Sequence, residues 1–85
     1  MSRNRRSEDE IAQEVGPVAW FVRQRRKELG YTQEEFAMRV GVGVRFLKDL
    51  EIGKPTVRMD KVNQVLNYLG FEVVPGKLPR EGEVE

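Results

Sequence analysis

The most constraining feature of the chain is a glycine-containing turn between two short amphipathic segments. Gly41-Val42-Gly43 follows a segment that begins at Thr32, and Glu35 stands three residues after that threonine, as in a capping box. The spacing predicts one helix from Thr32 to Val40 and a second from about Val44 to Glu51. Helical periodicity turns one set of apolar residues inward: Phe36, Ala37 and Val40 before the turn, and Phe46, Leu47 and Leu50 after it.

Composition excludes several classes of function. The chain has 85 residues with no cysteine and no histidine. Disulfides, thiolate or histidine metal sites and a serine-histidine triad are therefore impossible. No cluster of Asp, Glu, Lys, Tyr, Ser or Thr stands out as a catalytic group. We expect one small domain with no enzymatic activity, no metal and no cofactor.

Charge gives an ambiguous indication of the partner. The formal net charge is only +1, which argues weakly against nucleic acid, but the charges are unevenly distributed. A near-neutral protein can still present a basic face to phosphates. There is no apolar run of membrane-spanning length and no hydrophobic secretion signal, so we expect a cytoplasmic protein without a membrane partner. The basic residues cluster at Arg3, Arg5 and Arg6 and at Arg23, Arg25, Arg26 and Lys27.

One further helix is predicted before this pair and one after it. The first runs from about Pro17 to Leu29 and the second from about Arg58 to Leu69, each followed by a terminating glycine. Ser7 and Glu10 form another capping-box pattern, so residues 8–15 could be a short helix or an arm. The expected inward stripes are Val18, Phe21, Val22 and Leu29 in the first helix, and Met59, Val62, Val65, Leu66 and Leu69 in the second.

One short strand is predicted near the end of the chain, at Phe71-Glu72-Val73-Val74, with Pro75-Gly76 as its turn. A lone strand leaves backbone groups unpaired. Pairing with the same strand of a second copy satisfies them, so we expect a homodimer. The resulting division is an N-terminal arm or short helix at 1–16, a helical domain at 17–70, a dimerisation strand at 71–76 and a flexible acidic tail at 77–85.

Residues 18–69 resemble the Cro/CI-type (Xre-like) helix-turn-helix family. The resemblance is carried by the run from Arg26 to Ala37, Gly41-Val42, and Leu50-Glu51-x-Gly53-Lys54. It implies an all-α, lambda-repressor-like bundle of four to five helices that binds DNA. Together with Lys54–Val62, the strand also resembles the HipB-like antitoxin branch, where such a strand pairs across the dimer. That branch implies a HipA-like kinase toxin as an additional partner.

The resemblance implies roles for three residues that hold the helix after the turn, which is the helix that reads DNA in this family. Gln33 matches the family glutamine that holds a phosphate and braces that helix, and helix N-termini attract phosphate in any case. The alternative for Gln33 is an ordinary first-turn polar residue. Arg26 and Glu51 match a family ion pair that ties the first helix of the domain to the helix after the turn.

The family's DNA-facing positions correspond here to Val44, Arg45, Lys48 and Asp49, followed by Lys54 and Thr56 in the next loop. Arg45 is the best candidate for reading guanine through a bidentate contact, and Lys48 for meeting a phosphate. Val44 could touch a thymine methyl group. Asp49 could accept from cytosine, repel the backbone, or pair with Lys48 or Arg45. For the whole set, the alternative is a solvated charged face or surface loop.

The predicted function is therefore a sequence-specific repressor that acts as a homodimer on a palindromic operator, and the branch resemblance adds an antitoxin role. A phage-type repressor without a toxin and a protein-interaction module of the same fold are the alternatives. Two departures from the family stand out: Gly43 replaces the usual Ser or Thr cap, and Arg58 replaces another capping residue. Trp20 lies opposite the buried stripe and could pack against the N-terminal helix at residues 8–15, a second subunit or a toxin.

Overall fold

A computed structural model describes residues 7–78, and these residues form five helices with no strand. The all-α class is therefore confirmed for the described part of the chain. The order along the sequence is α1 (Glu8–Val15), α2 (Pro17–Leu29), α3 (Gln33–Val40), α4 (Val44–Glu51) and α5 (Met59–Tyr68). The last helix is slightly shorter than predicted, because Arg58 and Leu69 serve as its caps.

Helix α1 begins at a complete capping box. The Ser7 hydroxyl accepts from the Glu10 N–H at 3.1 Å, and the Glu10 carboxylate accepts from the Ser7 N–H at 3.0 Å. These bonds satisfy amide donors that the first turn otherwise leaves free. The helix ends at Gly16, whose φ of 91° turns the chain, and Pro17 starts α2. Residues 1–6 of the predicted N-terminal arm or short helix at 1–16 lie outside the described residues.

The core lies between α2, α3, α4 and α5. Its buried side chains are Val22, Phe36, Ala37, Val42, Leu47, Leu50, Val62, Val65 and Leu66. Three residues of the predicted stripes are exposed instead: Val18, Leu29 and Met59. Leu29 is the last residue of α2 and Met59 the first of α5, so both project beyond the short core. Ala19, outside the predicted stripe, is buried in place of Val18.

Trp20 and Arg25 are two half-buried residues of α2. Helix α1 packs against α2. The Arg25 guanidinium lies 6.0 Å from the ring centroids of both Phe21 and Phe71, and it pairs with Glu28 at 3.1 Å. Arg25 therefore covers aromatic surface while its charge stays at the edge of the core.

The segment after α5 lies along α2 and α5 without forming a strand in the single chain. Phe71 packs edge-to-face on Phe21, with ring centroids 4.7 Å apart. The Val73 N–H donates to the Asn63 side-chain oxygen at 3.0 Å. Residues 71–78 have no regular secondary structure. The strand was expected to need a second copy, so the dimerisation strand at 71–76 stays a prediction. Residues 79–85 of the predicted tail lie outside the described residues.

Candidate nucleic-acid interface

The turn between α3 and α4 depends on a left-handed glycine. Gly41 has a φ of 92°, a conformation that L side chains rarely adopt, and its N–H donates to Ala37 O at 2.9 Å. The Val42 N–H donates to the same carbonyl at 3.0 Å, and the Val42 side chain is buried. Gly43 then caps α4 in an extended conformation without a side-chain hydrogen bond. The turn thus separates two helices that share one core.

A side chain from α5 supports this turn. The Gln64 side-chain amide donates to the carbonyl oxygens of Val40 and Gly41, each at 3.2 Å. These carbonyls belong to the last turn of α3, where no further helical N–H is available. Sequence reasoning did not identify Gln64, because an exposed glutamine within a helix has no distinguishing pattern.

Helix α4 has an inner and an outer face. Leu47, Leu50 and Glu51 are buried, whereas Arg45 and Lys48 are exposed. Phe46 and Val44 are half-buried and pack against the core. Val44 therefore lies at the boundary of the two faces rather than fully on the outer one. The outer face presents two cations, side by side on one short helix, in an orientation accessible to a large partner.

The Arg26–Glu51 pair ties α2 to α4. Arg26 Nε and Nη2 donate to the two Glu51 carboxylate oxygens at 2.7 and 2.9 Å. Arg26 Nη1 also donates to the Tyr31 carbonyl at 2.7 Å. The two side chains are only 12% and 4% exposed. A buried, bidentate pair whose third guanidinium nitrogen also has an acceptor fixes geometry more surely than it adds stability.

Gln33 joins this pair from the first turn of α3. Its side-chain amide donates to Glu51 Oε1 at 3.1 Å, and the residue is half-buried. The side chain predicted to hold a phosphate is therefore hydrogen-bonded to the carboxylate that anchors α4. This arrangement joins three helices through one carboxylate.

Asp49 and Lys54 pair across the end of α4. Lys54 Nζ lies 3.5 Å from Asp49 Oδ2, so the carboxylate is partnered by neither Lys48 nor Arg45. Exposed pairs of this kind are worth little and exchange readily with other partners. Thr56 is exposed in the loop that follows. The pair reduces the repulsion that a free carboxylate on α4 would exert on a phosphate backbone.

Arg58 is the N-cap residue of α5 and forms an ion pair with Asp60. It donates to both carboxylate oxygens of Asp60, at 3.1 and 2.7 Å. The Arg58 hydrogen bond holds the pKa of the Asp60 carboxyl below its usual value. Because both partners of this pair are exposed, it contributes little to stability.

Two further features are absent from the described part of the chain. Among the side chains of residue 7 and residues 10–78, no group of three or more His, Cys, Asp or Glu is placed to hold a metal ion. Residues 7–78 contain no helix with both the length and the apolar character needed to cross a bilayer.

Comparison with known proteins gives consistent results. The Helix-turn-helix family matches residues 22–74. An uncharacterized HTH-type transcriptional regulator, y4mF, from Sinorhizobium fredii is 52% identical over 56 residues, which cover 66% of this chain and 74% of that protein. Another uncharacterized HTH-type transcriptional regulator, from Methanothermobacter thermautotrophicus, is 41% identical over 52 residues, or 61% and 75% of the two chains. No solved structure gives a significant match. The chain belongs to the Cro/CI-type helix-turn-helix family.

Proposed function

We propose that this protein is a sequence-specific, double-stranded DNA-binding transcriptional regulator that acts in the cytoplasm and represses by occupying a promoter. One observation carries the proposal: α4 exposes Arg45 and Lys48 while Leu47, Leu50 and Glu51 of the same helix are held inside. A helix anchored in this way can enter the major groove without losing its place in the core. The names of both relatives, as HTH-type transcriptional regulators, support the same function.

Within that function, we assign reading to Arg45 and positioning to the residues around it. Arg45 would donate two hydrogen bonds from its guanidinium to guanine. Such a bidentate contact discriminates between base pairs by about 1–3 kcal/mol. Lys48, Gln33, Lys54 and Thr56 would meet phosphates, which fix the register without specifying sequence. Asp49 stays a proposed contact to cytosine, for which its pair with Lys54 would have to open. Val44 would reach a thymine methyl group only from the edge of the outer face.

A homodimer is proposed on the basis of the unpaired segment after α5. In residues 72–78, the Val73 N–H is the only backbone group with a hydrogen bond to another described residue, and its acceptor is a side chain. Val74 is 62% exposed. Two open apolar cavities of about 280 and 270 Å³ flank Val73 and share Pro17 and Val18 in their walls. Antiparallel pairing with a second copy would satisfy the backbone and cover these cavities. Two copies of α4 about 34 Å apart would then fit successive major grooves of a palindromic site.

The experiment that tests the proposed function is selection of duplexes from a random library, followed by titration at several salt concentrations. We expect the full chain to enrich a palindromic sequence and to bind it far more tightly than unrelated DNA. Affinity should fall steeply with salt, because released counterions contribute to every phosphate contact. Absence of binding to every duplex at low salt would contradict the proposal.

The antitoxin role is a narrower proposal. It is supported by the resemblance of Lys54–Val62 and the predicted strand at Phe71–Val74 to the HipB-like branch. A HipA-like kinase encoded by the neighbouring reading frame would be the expected partner. Co-expression followed by copurification of the two proteins at a fixed ratio tests it, and a phage-type repressor without a toxin is the result expected if no such partner exists.

The second candidate is a protein-interaction module that has the fold without DNA binding. The net charge of only +1 and the Asp49 carboxylate near the outer face of α4 favour it. The two candidates differ at low salt, where a DNA-binding protein binds any duplex weakly and an interaction module binds none.

A further inference from the structure

The chain approaches itself most closely where α1 ends beside the loop that follows α4. Gly53 has a φ of 81°. A Cβ atom at this position would lie 2.8 Å from Val15 Cα and 2.9 Å from Val15 C, and closer still to the Val15 carbonyl oxygen. These are backbone atoms, which cannot move aside as a flexible side chain can. Only glycine therefore allows the end of α1 to rest against this loop.

The loop beyond Gly53 has few bonds of its own. Gly53 and Lys54 donate to Leu50 O and Asp49 O, each at 3.0 Å, and so remain attached to α4. Pro55 has no N–H, and Thr56 makes no hydrogen bond within the described residues. Val15 and Val57 line the same cavity of about 280 Å³ beneath the loop. The position of the loop therefore depends on what packs beside it, and α1 is the neighbour.

Helix α1 is itself well fixed. Its capping box holds the first turn, and the helix packs against α2, to which it is joined through Gly16 and Pro17. It lies outside residues 22–74, the part of the chain that the family matches. The contact between Val15 and Gly53 therefore joins a segment outside the family match to a loop inside it.

We propose that Val15 and Gly53 are positioning residues for DNA binding: the end of α1 holds the loop so that Lys54 and Thr56 face the phosphate backbone. This inference rests on the proposed function, in which both residues meet phosphates. In this proposal α1 supports the DNA interface without contacting DNA itself. Detachment of α1 would release the loop and remove phosphate contacts without changing the base preference set by Arg45.

The direct test compares Gly53→Ala with Gly30→Ala in the full chain. Gly30 has a similar φ of 82°, but a Cβ there would meet nothing within 4 Å, so this control carries the backbone strain without the clash. The measurement is the slope of log K against log salt for a duplex selected by the wild-type protein. We expect Gly53→Ala to lower the slope by about 0.9 for each phosphate that the loop no longer reaches, and Gly30→Ala to leave it unchanged.

A double variant shows whether the effect passes through Lys54. Lys54→Ala alone should lower the slope by about 0.9 per protomer. Adding Gly53→Ala should then cause a smaller further decrease than Gly53→Ala causes in the wild-type background. Full additivity, or a wild-type slope in Gly53→Ala, would overturn the positioning role.

A second pair of variants disturbs α1 without touching the loop. Ile11→Asp places a charge on a half-buried position of α1, whereas Gln13→Asp adds a negative charge at an exposed one. The NMR order parameters of the Thr56 and Val57 backbone in the DNA-free protein should fall in Ile11→Asp, and the salt slope should fall. Gln13→Asp should show neither change. Unchanged order parameters in Ile11→Asp would contradict the inference.

Failure of this inference can be distinguished from failure of the proposed function. If the wild-type protein binds its selected duplex and Gly53→Ala keeps the full salt slope, only the positioning role is wrong. If the wild-type protein binds no duplex at low salt, the proposed function is wrong and the positioning role falls with it.

Discussion

Arg26 on α2 and Glu51 at the end of α4 are joined by two parallel hydrogen bonds, of 2.7 and 2.9 Å, in a nearly solvent-free position. The same carboxylate accepts from Gln33 at 3.1 Å. The arrangement fixes the orientation of α4 relative to α2 and α3. The outward direction of Arg45 therefore depends on a contact made from the buried face of its own helix.

Removing one member of this pair should be strongly destabilising. Arg26→Ala leaves the Glu51 carboxylate buried with only Gln33 as a partner, and breaking a buried pair in this way costs about 3–5 kcal/mol. Urea denaturation followed by circular dichroism measures the loss. The control is Arg58→Ala, which breaks an exposed pair with Asp60 and should cost far less. Equal losses in the two variants would contradict the structural role assigned to Arg26.

The two glycines of the turn should respond in opposite directions to the same substitution. Gly41→Ser forces an L residue into a left-handed conformation and should destabilise by about 1–2 kcal/mol. Gly43→Ser places a hydroxyl at an extended N-cap position with open space around it, and should stabilise by a few tenths of a kcal/mol, since serine is slightly the better cap. Thermal melts of the DNA-free proteins measure both changes, and a shift of the same sign would contradict the turn geometry.

Lys48→Ala should weaken binding to all DNA sequences alike. Removal of one phosphate contact per protomer reduces the slope of log K against log salt by about 0.9 per protomer. Lys77→Ala removes the same charge from an exposed position after α5 and should leave the slope nearly unchanged. Titrations of a selected duplex over a range of salt concentrations distinguish the variants. A larger effect from Lys77→Ala would move the interface away from α4.

Dimerisation should be sensitive to Val74. Val74→Lys replaces an exposed apolar side chain of the single chain, so the fold should tolerate it, but two copies of the new charge would repel across a paired strand. Sedimentation equilibrium should show a shift from dimer towards monomer. Met38→Lys introduces the same charge at another exposed apolar residue and should not change the mass. Equal masses for all three proteins would contradict pairing through Phe71–Val74.

Helical structure could be predicted from the sequence wherever local chemistry determines it. Thr32 and Glu35 mark the start of α3, Gly30 ends α2, and Gly41 marks the turn, each through a capping or conformational preference of single residues. Periodicity was less reliable near helix ends. Leu29 and Met59 follow the apolar pattern yet are exposed, because the core is shorter than the helices that form it.

The candidate site was only partly predictable, because several of its contacts join distant parts of the chain. The turn support from Gln64 and the contact between Val15 and Gly53 have no local signal. The choice of Lys54 as the partner of Asp49 depends on how the chain leaves α4, which spacing along a helix does not determine. The resemblance did assign the Arg26 and Glu51 positions, since it carries information about distant residues that periodicity lacks.

The base preference of Arg45→Ala shows whether α4 is the helix that reads DNA sequence. The preference is measured on a set of duplexes that carry every single-base change in the selected site. We predict that Arg45→Ala loses about 1–3 kcal/mol of discrimination at one base-pair position of each half-site and keeps it elsewhere. Arg39→Ala removes an exposed guanidinium of α3 that lies over the ring of Tyr31, and it should keep the full preference. An unchanged preference in Arg45→Ala would contradict the assignment of α4 as the reading helix.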